Sequence, residues 1–304
     1  MQQFLDACQF AVCALQQNGV SAQTGTVEPV VTSLTSCRRP RAATRRAVVQ
    51  TLAAALFLPA MGAAQAQIAV STAINRIARY RALSQRMAKA YVQMHLGVLP
   101  DQAASVMASA KKLVRSGFDD LASVPWPTEL ARQVDDVHKS VDALEALLVM
   151  PPTAQSVAAV AAQADRMLAV ANAATEAFER SSNAATAKLV NIAGRQRALS
   201  QRLAKNYFLV AAGSDAKGPR EQLLSDADEF RKAMATLAAA PLSTPAIRDE
   251  LALGDGQWVF FSSALQRKAD ARGLADVATT SERLLEVTDR LTGLYDAALK
   301  QVLG

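Results

Sequence analysis

The sequence predicts an all-α protein, arranged as tandem antiparallel four-helix bundles joined by a long helix, on three observations. Beyond residue 66, alanine, leucine, glutamine, arginine and lysine dominate and apolar residues recur at spacings of three and four, the period of one helical face. Prolines and glycines cut this stretch into pieces of helix length, leaving no strand candidate of useful length. One piece also occurs twice: Asn75–Tyr91 (NRIARYRALSQRMAKAY) returns 116 residues later as Asn191–Tyr207 (NIAGRQRALSQRLAKNY), with 11 of 17 positions identical. The same offset pairs Ser109 with Ser225, Leu121 with Leu237, Pro125 with Pro241 and Thr128 with Thr244. A period this long exceeds the roughly 20 to 50 residues of a solenoid unit and fits a duplicated small domain.

The elements follow in order. Residues 1–66 read as an export segment with an N-terminal extension: Arg38, Arg39, Arg41, Arg45 and Arg46 form a basic region, Ala47 to Ala60 an apolar run, and Ala64-Gln65-Ala66 a small-x-small cleavage site. Thr44 to Val49 also resembles a twin-arginine signal, an address rather than an anchor. The apolar run is shorter than the roughly 20 residues a spanning helix needs, so cleavage after Ala66 and a periplasmic mature chain are expected, with an uncleaved anchor as the alternative.

Residues 67–152 form the first helical unit. A helix from near Ile68 ends at Gly97 and Pro100, a second ends at Pro125-Trp126-Pro127, and a third, capped by Thr128, runs to Met150 and stops at Pro151-Pro152. Residues 153–304 hold the linking helix and the second unit. From Thr153 to Ala212 there is no proline and one glycine, Gly194, which predicts a single helix of about 90 Å at 1.5 Å per residue. Breaks follow at Gly213 to Pro219, at Pro241 and Pro245, at Gly254-Asp255-Gly256 and at Gly273. Short links favour antiparallel neighbours and two bundles in tandem. The alternative is one interleaved bundle in which the two motif helices lie side by side.

Charge and cysteine usage narrow the function. Cys8, Cys13 and Cys37 all precede the expected cleavage point, so the mature chain is left without a disulfide or thiolate site. It keeps 28 of 33 basic and 25 of 27 acidic residues, a nearly balanced charge that argues against a nucleic-acid partner. No other apolar stretch reaches spanning length without charges, which predicts a soluble mature protein. His95 and His138 have no companions at metal-ligand spacing, and no nucleophile–base pair, phosphate loop or carboxylate pair stands out, so neither a metal, a cofactor nor an enzymatic activity is expected. Trp126, and Trp258 beside Phe260 and Phe261, read as core plugs at bundle ends.

The repeated motif carries the functional signal, because its shared residues are largely polar. On a helical wheel with Ile77 at zero, Ile74, Tyr80, Met87, Ala88 and Tyr91 fall between about −80° and +60°, the buried stripe. Arg81 and Ser84 fall inside it, as Arg197 and Ser200 do in the second copy, whereas Arg79 and Arg86 fall opposite and are expected in solvent. An interior guanidinium carries five donors and keeps its proton. It needs a carboxylate, carbonyls or an external anion, and neither motif contains an acidic residue. An interhelical salt bridge and an arginine that snorkels to the rim are the structural alternatives.

The string NIAGRQRALSQR of the second copy resembles the signature of the PilJ-type sensory domain, found at the N-terminus of type IV pilus methyl-accepting chemotaxis transducers, and is similar to the ligand-box helix of nitrate/nitrite-sensing histidine kinases. Both copies match, which implies two such domains spanning nearly all of residues 68–304. In the nitrate sensors, the arginine six residues after the asparagine binds the planar anion, aided by a backbone amide at a nearby small residue. The resemblance thus implies a ligand set of Arg197, Arg81, Gly194, Ser200, Ser84, Asn191 and Asn75, with Arg197 principal. Copy one has Ala78 where copy two has Gly194, and Arg76 in place of an apolar residue, so it departs further from the pattern. Gly194 has a second explanation in close helix approach.

Two function classes result. One is a periplasmic module that binds a small anion, nitrate or nitrite, and reports to a membrane receptor or signalling partner, having no transmembrane or signalling domain of its own. If two motif helices meet, within one chain or across a homodimer, two guanidinia would share one anion. The other is a ligand-free structural or interaction bundle in which the motif serves helix packing.

Overall fold

The computed structural model describes residues 58–182, 187–213 and 217–303, with side chains from residue 70 to residue 301. The described residues form eight helices: α1 Leu58–Leu96, α2 Pro100–Ala122, α3 Thr128–Leu147, α4 Ala154–Ser181, α5 Ala187–Ala211, α6 Lys217–Ala238, α7 Pro245–Leu265 and α8 Ala271–Leu303. The all-α class is as the sequence predicts. The basic cluster and most of the apolar run of the expected export segment lie outside the described residues; the backbone of α1 is helical through the expected cleavage position after Ala66.

Local chemistry accounts for most boundaries. Gly97 and Gly213 end α1 and α5 with positive φ of 66° and 72°, a conformation that costs glycine little. Pro100 opens α2 and Pro245 lies in the first turn of α7, where a missing N–H is harmless. Thr153 caps α4 through a reciprocal box with Ser156, and the Thr244 hydroxyl accepts from the Ile247 N–H at the start of α7. Thr128 is instead the first residue of α3, behind Pro127 and without a side-chain cap. Gly254-Asp255-Gly256 does not break α7. Gly254 is buried inside that helix, where a Cβ would come within 2.9 Å of the Met234 methyl group, so the position serves close packing rather than a turn.

The predicted long helix is two helices. It stops at Ser181, with Ser182 closing the last turn, and α5 begins at Ala187. The two run antiparallel, Asn191 meeting Glu179 and Lys205 meeting Asp165, and the interleaved arrangement forms in place of two bundles in tandem. Motif helices α1 and α5 lie side by side; α4 flanks α1 and α8 flanks α5, with α1 also meeting α8 and α5 meeting α4. The outer helices α2 and α3 cover α1 and α4, and α6 and α7 cover α5 and α8.

Contacts reveal an internal two-fold relation. Arg81 meets Asn191 and Arg197 meets Asn75, so α1 and α5 run antiparallel and cross near Ala78 and Gly194. Past Thr244 the offset between the halves rises to 117: buried Leu130, Val137 and Leu144 of α3 match Ile247, Gly254 and Phe261 of α7, and Phe178 matches Tyr295. One extra residue near the start of α7 therefore shifts the second half. Trp126 packs edge-on against Phe178, and Trp258 stacks on Phe230 at 4.4 Å. Phe261 is buried but Phe260 faces outward, 63% exposed, so only one of that pair joins the core.

Candidate functional site

The crossing of α1 and α5 gathers the repeated polar residues. Arg81 and Arg197 are each 1% exposed and are the largest fully buried side chains described, as the helical wheel predicts. They approach one another because position 194 lacks a side chain: a Cβ there would lie 3.1 Å from Arg197 Nη2, 3.3 Å from the Ala78 Cβ and 3.4 Å from Arg81 Nη2. Gly194 lies well inside α5, where the helix's own ladder takes its N–H. Its contribution is space.

Each asparagine serves the other copy's arginine. Arg81 Nη1 donates to Asn191 Oδ1 at 2.8 Å and its Nη2 to the Asn191 carbonyl at 3.2 Å. Arg197 Nη2 donates to Asn75 Oδ1 at 3.0 Å and to the Asn75 carbonyl at 3.3 Å. The two asparagine amides are in turn held by carboxylates: Asn191 donates to Glu179, and Asn75 to Asp296 at 3.4 Å. Ser84 and Ser200 donate to the carbonyls of Arg81 and Arg197, each at 2.8 Å. Their hydroxyls are thus turned toward their own helices.

The symmetry fails at one place. Arg197 Nη1 donates to Asp289 of α8 at 2.7 Å, and Asp289 also accepts from Arg79. The matching position on α4 is Asn172, whose Oδ1 accepts from Arg81 Nη1 at 3.1 Å and whose amide donates to Glu176. The remaining Arg81 bond, from Nε to the Ala78 carbonyl, is 3.4 Å long. All of Arg81's acceptors are therefore neutral, while Arg197 holds a carboxylate. Arg197 Nε is buried with no partner.

Electrostatics follow this difference. Burial, and then the neighbouring Arg197 and Arg195, pull Arg81 down to about 9 against the opposing pull of Glu176 and Glu179, so the site resists the positive charge it carries. Burial also lowers Arg197, with Asp289 working against it. Asp289 itself sits below the ordinary carboxylate value: burial pushes it up, but Arg197 and then Arg79 outweigh that.

Further buried polar pairs surround the crossing and were not singled out from the sequence. Lys89 reaches Ser281 and Glu282, and its counterpart Lys205 reaches Asp165. Gln85 and Gln201 donate to the carbonyls of Ala164 and Ser281. Their repetition in both motif copies was the available signal. Arg79 and Arg86, expected in solvent, instead bridge to Asp289 and Glu282, because α8 covers the face of α1 that a one-sided helix would expose.

A cleft of about 570 Å³ opens beside the crossing, between α4, α5 and the start of α6, with Arg81, Asn172, Arg195 and Arg202 among its walls. Leu168 and Leu199 supply apolar surface, and Asp165 a carboxylate. Arg202 is bonded to buried Asp226 and Arg195 to Glu229. His95 contacts the Pro152 carbonyl, and His138 pairs with Asp142 on the surface of α3. Among the described residues, no group of three or more His, Cys, Asp or Glu is placed to hold a metal ion, and no helix is long and apolar enough to cross a membrane.

Residues 178–279 match the family model described as PilJ, Type IV pili methyl-accepting chemotaxis transducer N-term. This stretch, about a third of the chain, runs from the end of α4 into α8 and contains the second motif copy, so the similarity is to a PilJ-type domain over these residues. The first copy lies outside the matched residues. No curated protein and no solved structure matches the chain.

Proposed function

We propose that this chain is a sensory module that binds a small oxyanion, nitrate or nitrite, where α1 and α5 cross. The observation that carries the reading is Arg81: a fully buried guanidinium whose acceptors are all neutral, beside a second guanidinium. Glu176 and Glu179 reach Arg81 only across Asn172 and Asn191; a buried cation with no carboxylate bonded to it is costly, and an entering oxyanion would relieve that cost through charge-assisted, bidentate hydrogen bonds. Arg81 is then the principal ligand. Arg197, the principal residue on resemblance, already has Asp289.

Two motif helices meet within one chain, so the pairing that a homodimer would otherwise provide needs no second subunit. Binding would tighten the α1–α5 contact and shift one helix against the other by about 1 to 2 Å, a common signalling motion in bundles. An exported, periplasmic chain would pass that shift to a membrane receptor or other signalling partner. The arginine cluster, apolar run and Ala64-Gln65-Ala66 of residues 38–66, read as a signal from the sequence, favour this location.

A second reading is favoured by the reciprocal asparagine–arginine bonds, which give every η nitrogen of both arginines a protein acceptor. On that reading the motif is a packing device and the bundle has no ligand. Calorimetric titration of nitrate and nitrite, paired with thermal unfolding, separates the two, since a ligand of the folded state raises the midpoint by mass action. Binding by wild type and loss of binding in a folded Arg81→Met variant is the expected result. Absence of heat and of any midpoint shift at millimolar anion would leave the packing reading.

A further inference from the structure

We infer that the two pseudo-symmetric halves hold one open anion site and one that the chain fills for itself, with Asp289 standing in the second half where an external anion enters the first. The inference rests on the anion reading above and adds its stoichiometry, its location and the residue that sets both.

The argument is a comparison of equivalent positions. On the α8 side, Asp289 Oδ1 lies 2.7 Å from Arg197 Nη1 and 2.9 Å from Arg79 Nη2, so one carboxylate bridges two guanidinia. On the α4 side the corresponding guanidinia are Arg81 and Arg195, and the corresponding residue is Asn172. It offers Arg81 a neutral amide oxygen at 3.1 Å, and Arg195 turns instead to Glu229 of α6. Arg81, Asn172 and Arg195 all line the cleft between α4, α5 and α6.

A carboxylate and a nitrate ion present the same planar pair of oxygens to an arginine fork. Asp289 therefore shows, within this chain, what a ligand at Arg81 and Arg195 would look like. Entry is from the cleft, past Asn172 and Arg195, rather than along the helix crossing itself. Asn172 acts as the selector: its amide tolerates an anion that a carboxylate at the same position would repel. Glu176 holds that amide from behind at 2.7 Å, which fixes the oxygen toward Arg81.

The test is calorimetric titration of nitrate into the full chain and two variants, Asn172→Asp and Asp289→Asn. Wild type is expected to bind one nitrate per chain. Asn172→Asp should weaken binding at least about tenfold, since like charges placed together in a partly buried site are strongly unfavourable. Asp289→Asn should bind two nitrates per chain. Asn172→Asp gives Arg81 a carboxylate at the cost of the amide bond to Glu176, so it is also made with Glu176→Gln, whose amide can donate to the new carboxylate; this pair tests the inference even if Asp289→Asn fails to fold. Nitrate binding by Asn172→Asp equal to that of wild type would overturn the self-filled half while leaving an anion sensor in place. A folded Asp289→Asn that still binds one would do the same. Failure of wild type and both variants to bind would remove the anion reading and this inference together.

Discussion

Ala78 and Gly194 occupy the same place in the two motif copies, and they touch: a Cβ on Gly194 would lie 3.3 Å from that of Ala78. The duplicated helices thus pack on themselves about their own equivalent positions. The crossing brings each copy's asparagine within reach of the other copy's arginine.

This contact predicts a graded response at position 194. In Gly194→Ala, the helix-propensity gain of about 1 kcal/mol opposes crowding against Ala78 and two guanidinia at 3.1 to 3.4 Å. The net change is expected to stay within about 1 kcal/mol. Gly194→Leu cannot be accommodated without parting α1 from α5, and should cost about 1 to 3 kcal/mol. Urea denaturation measures both; equal stability for the leucine variant would mean the helices do not approach as described.

The reciprocal bonds predict coupling between positions far apart in sequence. Asn191→Ala removes one acceptor, the Oδ1 that takes Arg81 Nη1, and keeps the backbone carbonyl that takes Nη2; leaving a buried donor short should cost about 1 to 3 kcal/mol. A double-mutant cycle with Arg81→Met should show the two changes strongly non-additive, since they break one interaction. Additive losses at Asn191 and Arg81 would argue against the bond.

The all-α class and the inward placement of Arg81, Ser84, Arg197 and Ser200 were legible because they follow from helical period alone. The wheel misplaced Arg79 and Arg86 for a physical reason: it assumes one buried stripe, whereas α1 is contacted by α2, α4, α5 and α8. Tandem and interleaved packing were indistinguishable in the sequence, because a motif helix buries the same apolar stripe whether it packs within its own unit or against the other copy. The decisive difference, Asn172 against Asp289, was hidden by the extra residue that raises the offset to 117 and takes these two out of register in a gapless comparison.

Acid should test the Asp289 bridge. Its carboxyl is depressed from 3.8, with burial opposing and Arg197 and Arg79 prevailing. A depressed carboxyl contributes stability that is present above the unfolded value and lost as pH falls through the folded one. Wild type should therefore lose stability below about pH 3.8 more steeply than Asp289→Asn. Asp226, which burial raises, titrates alike in both and cancels. Asp289 keeps 42% of its side-chain exposure, so the difference should shrink in high salt. Parallel acid limbs would show that the bridge contributes nothing measurable.

The proposed export predicts a defined chain end. N-terminal sequencing of the protein recovered from the periplasm should begin at Gln67, with the first nine residues of α1, Leu58 to Ala66, removed. An intact precursor in the membrane fraction would instead point to a tethered sensor.

The two central arginines should differ in what they cost the fold. Arg197 is half of an ion pair, and Arg197→Met takes from Asp289 one of two cations and from Asn75 its donor. That loss should be about 1 to 3 kcal/mol. Arg81→Met removes a buried charge that has no carboxylate bonded to it, that Arg197 repels, and that Glu176 and Glu179 favour only from beyond Asn172 and Asn191. Relief of that repulsion and of desolvation offsets the acceptors left at Asn172 and Asn191, so stability should fall less than for Arg197→Met, or not at all. A residue retained against the interest of stability marks a functional position. Urea denaturation of both variants without added anion gives the order. If Arg81→Met proves the more damaging of the two, Arg81 is a packing residue and its neutral surroundings are sufficient for it.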